Sequence, residues 1–99
     1  MQIPKQFKLG SKTYTVETVQ HTKPKGTMGT IYYDLCRVEI ATNSGLSNRS
    51  FKSEELADTF WHEITHAILR DMKHKQWNDE KFVTAFSKRH TQIITTAKL

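Results

Sequence analysis

Residues 60–69 read FWHEITHAIL, in which apolar side chains surround most of a helix except at the two histidines, the glutamate and the threonine. Neither Gly nor Pro occurs between residues 53 and 72, and Ser53 followed by two glutamates is a typical helix start. The pattern predicts one long helix over residues 53–72. Because this helix is apolar on several sides, we expect the rest of the chain to pack around it.

Within the predicted helix, His62 and His66 are four residues apart in the pattern HExxH. Residues at this spacing project from one face of a helix, so both imidazoles can reach a single tetrahedral Zn²⁺. Glu63 lies about 100° further round the helix, where a carboxylate can take a proton from water beside the metal. The alternative is a pair of core histidines satisfied by hydrogen bonds, which would leave a carboxylate to be paired among apolar residues.

A second helix is predicted to begin at Asn78-Asp79-Glu80 and to run to about residue 95. Its apolar residues recur at spacings of three and four, which predicts the following face against the first helix: Val83, Phe86, His90, Ile93 and Ala97. The connection between the two helices is short, and short connections favour antiparallel neighbours.

Glu80 is the predicted third ligand, because a catalytic zinc usually has three protein ligands and Glu80 lies on the first turn of the second helix, on the face that packs against the first helix. Antiparallel packing would bring this turn back toward His62 and His66. The other candidates are expected elsewhere: Asp79 at the helix start, His74 on the surface, His90 on the apolar face of the second helix, His21 in an exposed loop and Cys36 as a buried residue of a strand.

The first half of the chain has the composition of short strands, at residues 7–9, 14–19, 30–33 and 36–41. Gly10-Ser11-Lys12 between the first two strands indicates a hairpin. Residues 21–28, which include Pro24, are predicted to form a loop, and residues 42–50 a turn-rich break before the helices.

Ninety-nine residues are enough for one domain, which we place at residues 1–99. The single cysteine excludes an intramolecular disulfide and, with no signal-peptide or membrane-spanning run, predicts a soluble cytoplasmic protein without a membrane partner. A net charge of +5 permits nucleic acid as a partner, but only residues 5–12 and 23–25 are even slightly clustered.

HEITHAIL at residues 62–69, followed by DEKFVTAFS at residues 79–87, resembles the small HExxH proteins of bacteriophages and bacteria and is similar to the ImmA/IrrE type of metallopeptidase. The resemblance extends over roughly residues 50–95. It implies a minimal zincin-like α+β domain, with a small N-terminal sheet packed on the HExxH helix and a second, C-terminal helix closing the core. It also implies one Zn²⁺ per chain in a gluzincin-like arrangement, with His62, His66 and Glu80 as ligands and Glu63 as the catalytic residue.

The activity implied is zinc-dependent endopeptidase action on a protein or peptide substrate, in a host cell if the chain is phage-encoded. An edge strand at residues 36–41 or 30–33 would receive the extended substrate, and Tyr32, Tyr33 or Arg37 would steady the oxyanion. The metzincin position for a third histidine is occupied by Met72. Two other functions remain open: a non-catalytic interaction module stabilised by zinc, and a basic regulator that binds nucleic acid.

Overall fold

A computed structural model describes residues 3–23 and 25–98, so that Pro24 of the predicted loop and residues 1, 2 and 99 lie outside the described part. Within these ranges four strands precede two helices: β1 Gln6–Leu9, β2 Lys12–Val19, β3 Gly29–Tyr32, β4 Arg37–Ala41, α1 Ser53–Asp71 and α2 Glu80–Thr96. The α+β arrangement expected from the sequence is confirmed. In the described ranges neither helix has both the length and the apolar character needed to cross a bilayer.

The strands form one mixed sheet in the order β1-β2-β4-β3. The β1–β2 and β3–β4 pairs are antiparallel, whereas β2 and β4 pair in parallel. Strand β4 is therefore internal, and the expectation that residues 36–41 could act as a free edge was wrong. Strand β4 is internal because its residues Val38 and Ile40 are 0% exposed, and such complete burial requires neighbouring strands on both sides.

Alternate residues of the sheet face α1 and form the core with it. Its fully or nearly fully buried members are Tyr14, Val16, Val38, Ile40, Phe60 and Ile64. Helix α1 packs on β3 and β4, and α2 packs on α1. The sheet half formed by β1 and β2 is consequently the less covered half.

Helix α1 begins at the predicted residue, but Ser53 is its first helical residue rather than its cap. The cap position belongs to Lys52, whose backbone N–H donates to the Glu55 carboxylate at 3.0 Å. Arg49 donates two hydrogen bonds to the same carboxylate, at 3.1 and 3.0 Å. These bonds hold the pKa of Glu55 well below its usual range, at about 2.

Helix α2 begins at Glu80, and Asp79 caps it by accepting a hydrogen bond from the Phe82 N–H at 3.1 Å. Its predicted packing face was wrong in part. The residues buried on it are Val83, Ser87 and Thr91, whereas Phe86 and Ile93 are 52% and 65% exposed. The face of α2 that packs on α1 therefore includes the small polar residues Ser87 and Thr91 as well as Val83.

Candidate metal centre

Three predicted side chains converge where the middle of α1 meets the first turn of α2. His62 Nε2 lies 3.0 Å from Glu80 Oε2, and His66 Nε2 lies 2.7 Å from Glu80 Oε1. The two Nε2 atoms are 3.2 Å apart. Ligand atoms on a tetrahedral zinc with ordinary bond lengths are about 3.3 Å apart, so the separation of the two Nε2 atoms matches such a site, whereas the two Glu80 contacts are shorter.

The connection between the helices orients His66 as well as delivering Glu80. After α1 ends, the His74 N–H donates to the Leu69 carbonyl at 2.9 Å, and the Trp77 N–H donates to the His74 carbonyl at 3.2 Å. This tight turn directs the Trp77 carbonyl oxygen at His66 Nδ1, 2.7 Å away. Histidines that bind a metal through one ring nitrogen typically donate a hydrogen bond from the other, and this bond fixes the orientation of the ring.

The hydrogen-bond chemistry of His66 fits a cation at the centre. A carbonyl oxygen can only accept, so Nδ1 carries the proton shared with Trp77, and Nε2 is the ring nitrogen that faces the centre. Nε2 lies against Glu80 Oε1, and a carboxylate oxygen is an acceptor. A nitrogen and a carboxylate oxygen 2.7 Å apart must have a proton or a metal ion between them, and the nearby His62 Nε2 adds a third possible ligand atom.

Glu63 lies beside the two histidines but in a different environment from Glu80. His62, Glu63 and His66 each place a possible ligand atom within 4.8 Å of the others, which is close enough for the group to hold a metal ion. Glu63 is 9% exposed, and its Oε2 atom has no hydrogen-bond partner among the described residues. Burial raises the pKa of this carboxyl, the two histidines lower it and Glu80 raises it further.

Strand β3 forms the wall opposite Glu63, and Gly29 makes that approach possible. A Cβ atom at Gly29 would lie 2.9 Å from Glu63 Cγ and 2.9 Å from Thr59 Cγ2. Real Cβ atoms are not found so close to their neighbours, so any larger residue would force β3 and α1 apart or displace Glu63.

A cleft with two lobes runs past the site. One lobe, of about 540 Å³, extends along α2 to Thr84 and Lys88. The other, of about 290 Å³, extends toward Tyr33 and Trp77. Both lobes are lined by Thr27, Gly29, Glu63 and Glu80. The side chain of Glu80 is 68% exposed at this junction, so the centre opens to both lobes.

Of the three residues considered for oxyanion binding, the structure brings only Tyr33 to the cleft. Tyr33 shares the smaller lobe with Glu63 and His66, and the Arg70 guanidinium stacks over its ring at 4.0 Å. Burial, with the negative charge of Glu63 as a smaller cause, raises the pKa of Tyr33 to about 12, so its hydroxyl remains a donor.

Tyr32 and Arg37 are cross-strand partners on the sheet face turned away from α1. Arg37 there forms ion pairs with Glu17, at 3.2 Å, and with Glu39. Neither Tyr32 nor Arg37 lines either lobe.

The remaining ligand candidates lie outside the centre. His74 stacks on Phe82, and the His90 ring contacts Trp61 with a centroid distance of 5.1 Å. Cys36 was expected on a strand, but it lies in the turn between β3 and β4, with φ of +50°. His21 is half-buried rather than fully exposed.

Two features of the centre were not among the residues predicted from the sequence: the Trp77 carbonyl and Gly29. The Trp77 carbonyl leaves no sequence signal, since every residue has one. Gly29 does leave a signal, because a glycine at a strand start can mark a close approach of another element.

Comparisons of the chain with protein-family models, with curated proteins and with solved structures find no match in any of the three. The chemistry of the centre is therefore the basis for inferring its function.

Proposed function

We propose that the protein is a zinc-dependent peptidase whose metal is held by His62 Nε2, His66 Nε2 and the Glu80 carboxylate. The observation that carries this proposal is the convergence of these atoms at 2.7 to 3.2 Å beside a buried Glu63. When bound, zinc would polarise the carbonyl of a peptide bond and acidify water in the cleft.

Glu63 acts as the general base in this proposal. Its Oε2 atom, which has no partner in the described part of the chain, is available to take a proton from water as the water oxygen bonds to the carbonyl carbon. The same oxygen then returns the proton to the amide nitrogen as the C–N bond breaks, leaving a carboxyl group and an amine. A pKa raised by burial favours this role, because it makes the carboxylate a stronger base than one in water.

Tyr33 stabilises the developing negative charge on the carbonyl oxygen. Its hydroxyl stays protonated at neutral pH, and Arg70 and Trp77 hold its ring from two sides, with ring centroids 6.3 Å apart for the Tyr33–Trp77 pair. A donor that is held in place in this way stabilises a transition state without reorganising.

The substrate is an extended peptide lying along β3. Three residues of this edge strand, Gly29, Thr30 and Ile31, line the cleft, which continues in both directions from Glu63. A cleft open on both sides of the reacting bond suits cleavage within a chain rather than at its end, so the proposed activity is that of an endopeptidase.

The first test is zinc content, measured by mass spectrometry on protein purified without added metal. We expect about one zinc per chain in the wild type and in Glu63→Gln, and none in His62→Ala. Glu63→Gln is the matched control, because it removes the base and keeps the ligands. A wild type that neither contains nor takes up zinc would refute the proposal.

The second test is cleavage of a peptide library, analysed by mass spectrometry, with and without a hydroxamate inhibitor. We expect cleavage by the wild type that hydroxamate blocks and that Glu63→Gln lacks. Stoichiometric zinc without cleavage or hydroxamate binding would instead identify a closed structural site.

A further inference from the structure

A second groove lies on the side of α1 turned away from the metal centre. Ile64, which lines this groove, lies about 160° around the helix from both His62 and His66. The groove has a volume of about 240 Å³ and runs between α1 and strand β1. Apolar side chains line most of it, among them Phe7, Leu9, Ile64 and Ile68, and Lys8 is the only charged residue among the described residues of its lining.

Strand β1 is an edge of the sheet, and its hydrogen-bonding groups can be assigned from the pairing with β2. The Lys5 carbonyl accepts from the Val16 N–H at 2.9 Å and therefore points toward β2. Because peptide groups alternate in direction along an antiparallel strand, Phe7 and Leu9 also bond toward β2. Gln6 and Lys8 then present their N–H and C=O groups to the free edge.

A strand added at this edge would place its side chains alternately in the groove and above the sheet. Phe7 and Leu9 face α1, so the residues directly opposite them would face the groove beside Ile64 and Ile68. Ile68 is 39% exposed there, which leaves apolar surface for such residues to cover. The residue opposite Lys8 would lie on the other face, next to the lysine side chain.

Charge determines which kind of strand fits. Lys5 and Lys8 are exposed, and within the described part of the chain neither takes part in an ion pair. An acidic residue opposite Lys8 is attracted, whereas a lysine there is repelled. A second copy of this chain, paired through its own β1, would bring the two sets of lysines together, so charge disfavours a homodimer at this edge.

We propose that the β1 edge and its groove bind an extended segment of a partner protein in which large apolar residues alternate with acidic ones. The segment adds to the sheet as a fifth strand, its apolar residues enter the groove and its acidic residue pairs with Lys8. This site is separate from the metal centre and does not depend on the proposed peptidase activity.

The binding test uses two fluorescein-labelled, amidated peptides, one of alternating valine and glutamate and the other of alternating valine and lysine. Anisotropy titration should show the glutamate peptide binding at least tenfold more tightly. Hydrogen exchange followed by NMR should show new protection at the Gln6 and Lys8 amides. Equal affinity for the two peptides, or protection at β3 instead of β1, would overturn the proposal.

Two variants at Lys8 distinguish backbone hydrogen bonding at the β1 edge from attraction to the lysine charge. Lys8→Pro removes the outward N–H at a position where an edge strand tolerates proline, and its control Lys8→Thr removes the charge while keeping the N–H. We expect Lys8→Thr to weaken binding severalfold and Lys8→Pro to abolish it. Equal binding by the two variants would exclude strand addition.

The groove is tested by Ile68→Glu, with Leu46→Glu as the matched change at a residue that is 95% exposed on a loop. Ile68→Glu should weaken binding of the glutamate peptide at least tenfold, and Leu46→Glu should not. Both should keep the wild-type circular dichroism spectrum and zinc uptake. Sedimentation that shows the free protein dimerising, with dimerisation lost in Ile68→Glu, would assign the surface to a second copy and overturn the proposal.

Discussion

Replacing Gly29 by Ala would insert a methyl group into the contact between β3 and α1. The added carbon would lie 2.9 Å from Glu63 Cγ, 2.9 Å from Thr59 Cγ2 and 3.3 Å from Glu63 Cδ. Carbon atoms prefer separations of about 3.5 to 4.0 Å, so the first two contacts are too short by about 0.6 to 1.1 Å.

The magnitude follows from two opposing effects. Overpacking of this kind costs about 1 to 3 kcal/mol, while alanine restricts the unfolded chain and stabilises by about 0.4 to 1 kcal/mol. With central values of about 2 and about 0.7 kcal/mol, the net loss is about 1.3 kcal/mol, which for a domain of this size lowers the melting temperature by about 5 to 10 °C. Because the methyl group also displaces Glu63, we expect kcat to fall while zinc content is unchanged.

The assay is thermal unfolding of the metal-free protein followed by circular dichroism. Thr59→Ser removes one of the two colliding atoms and keeps the hydroxyl that donates to the Glu55 carbonyl at 3.0 Å. The double variant Gly29→Ala with Thr59→Ser should therefore recover part of the stability lost in Gly29→Ala, beyond the sum of the single changes. A Gly29→Ala protein that melts at or above the wild-type temperature would refute the reasoning.

Three other predictions concern Glu80 as the proposed third metal ligand, Glu55 at the start of α1 and Tyr33 as the proposed oxyanion donor. Glu80→Gln should sharply lower zinc affinity in a competition titration with a chelator, and Asp79→Asn should not, since asparagine also caps helices; the reverse result would mean that the wrong carboxylate was assigned. The lowered pKa of Glu55 stabilises the fold above the unfolded carboxyl value of about 4.3, and this stabilisation is lost as pH falls toward about 2. Denaturant unfolding should accordingly show Glu55→Gln less stable than the wild type at pH 7, with the gap closing at acidic pH; a gap independent of pH would exclude this linkage. Tyr33→Phe keeps the ring between Arg70 and Trp77 and should lower kcat by about a hundredfold with little change in KM, whereas unchanged kcat would remove Tyr33 from the mechanism.

Local features of the chain were predictable because they depend on neighbours in sequence. The spacing of His62 and His66 places both on one face of any α-helix, and the absence of Gly and Pro over residues 53–72 makes that helix the expected conformation. The alternation around Val38 and Ile40 likewise indicates a strand with one buried face. Asp79 next to Glu80 marks the start of the second helix closely.

Tertiary packing decided the features that join distant residues. The pattern of α2 suggested that Phe86 and Ile93 pack on α1, yet Ser87 and Thr91 are buried there, because the face that is covered depends on how α2 lies against α1 and not on apolar periodicity alone. Strand order could not be read from four short strands, so the internal position of β4 became known only from the sheet.

The same division applies to the candidate metal centre and to the groove between α1 and β1. Helical spacing alone places the two histidines on one face. Three other contacts require two elements to be brought together: Glu80 with the histidines, the Trp77 carbonyl with His66, and Gly29 with Glu63. Periodicity reports only which face of an element is apolar, whereas the element that covers that face is selected by shape and by hydrogen-bond satisfaction across the whole fold.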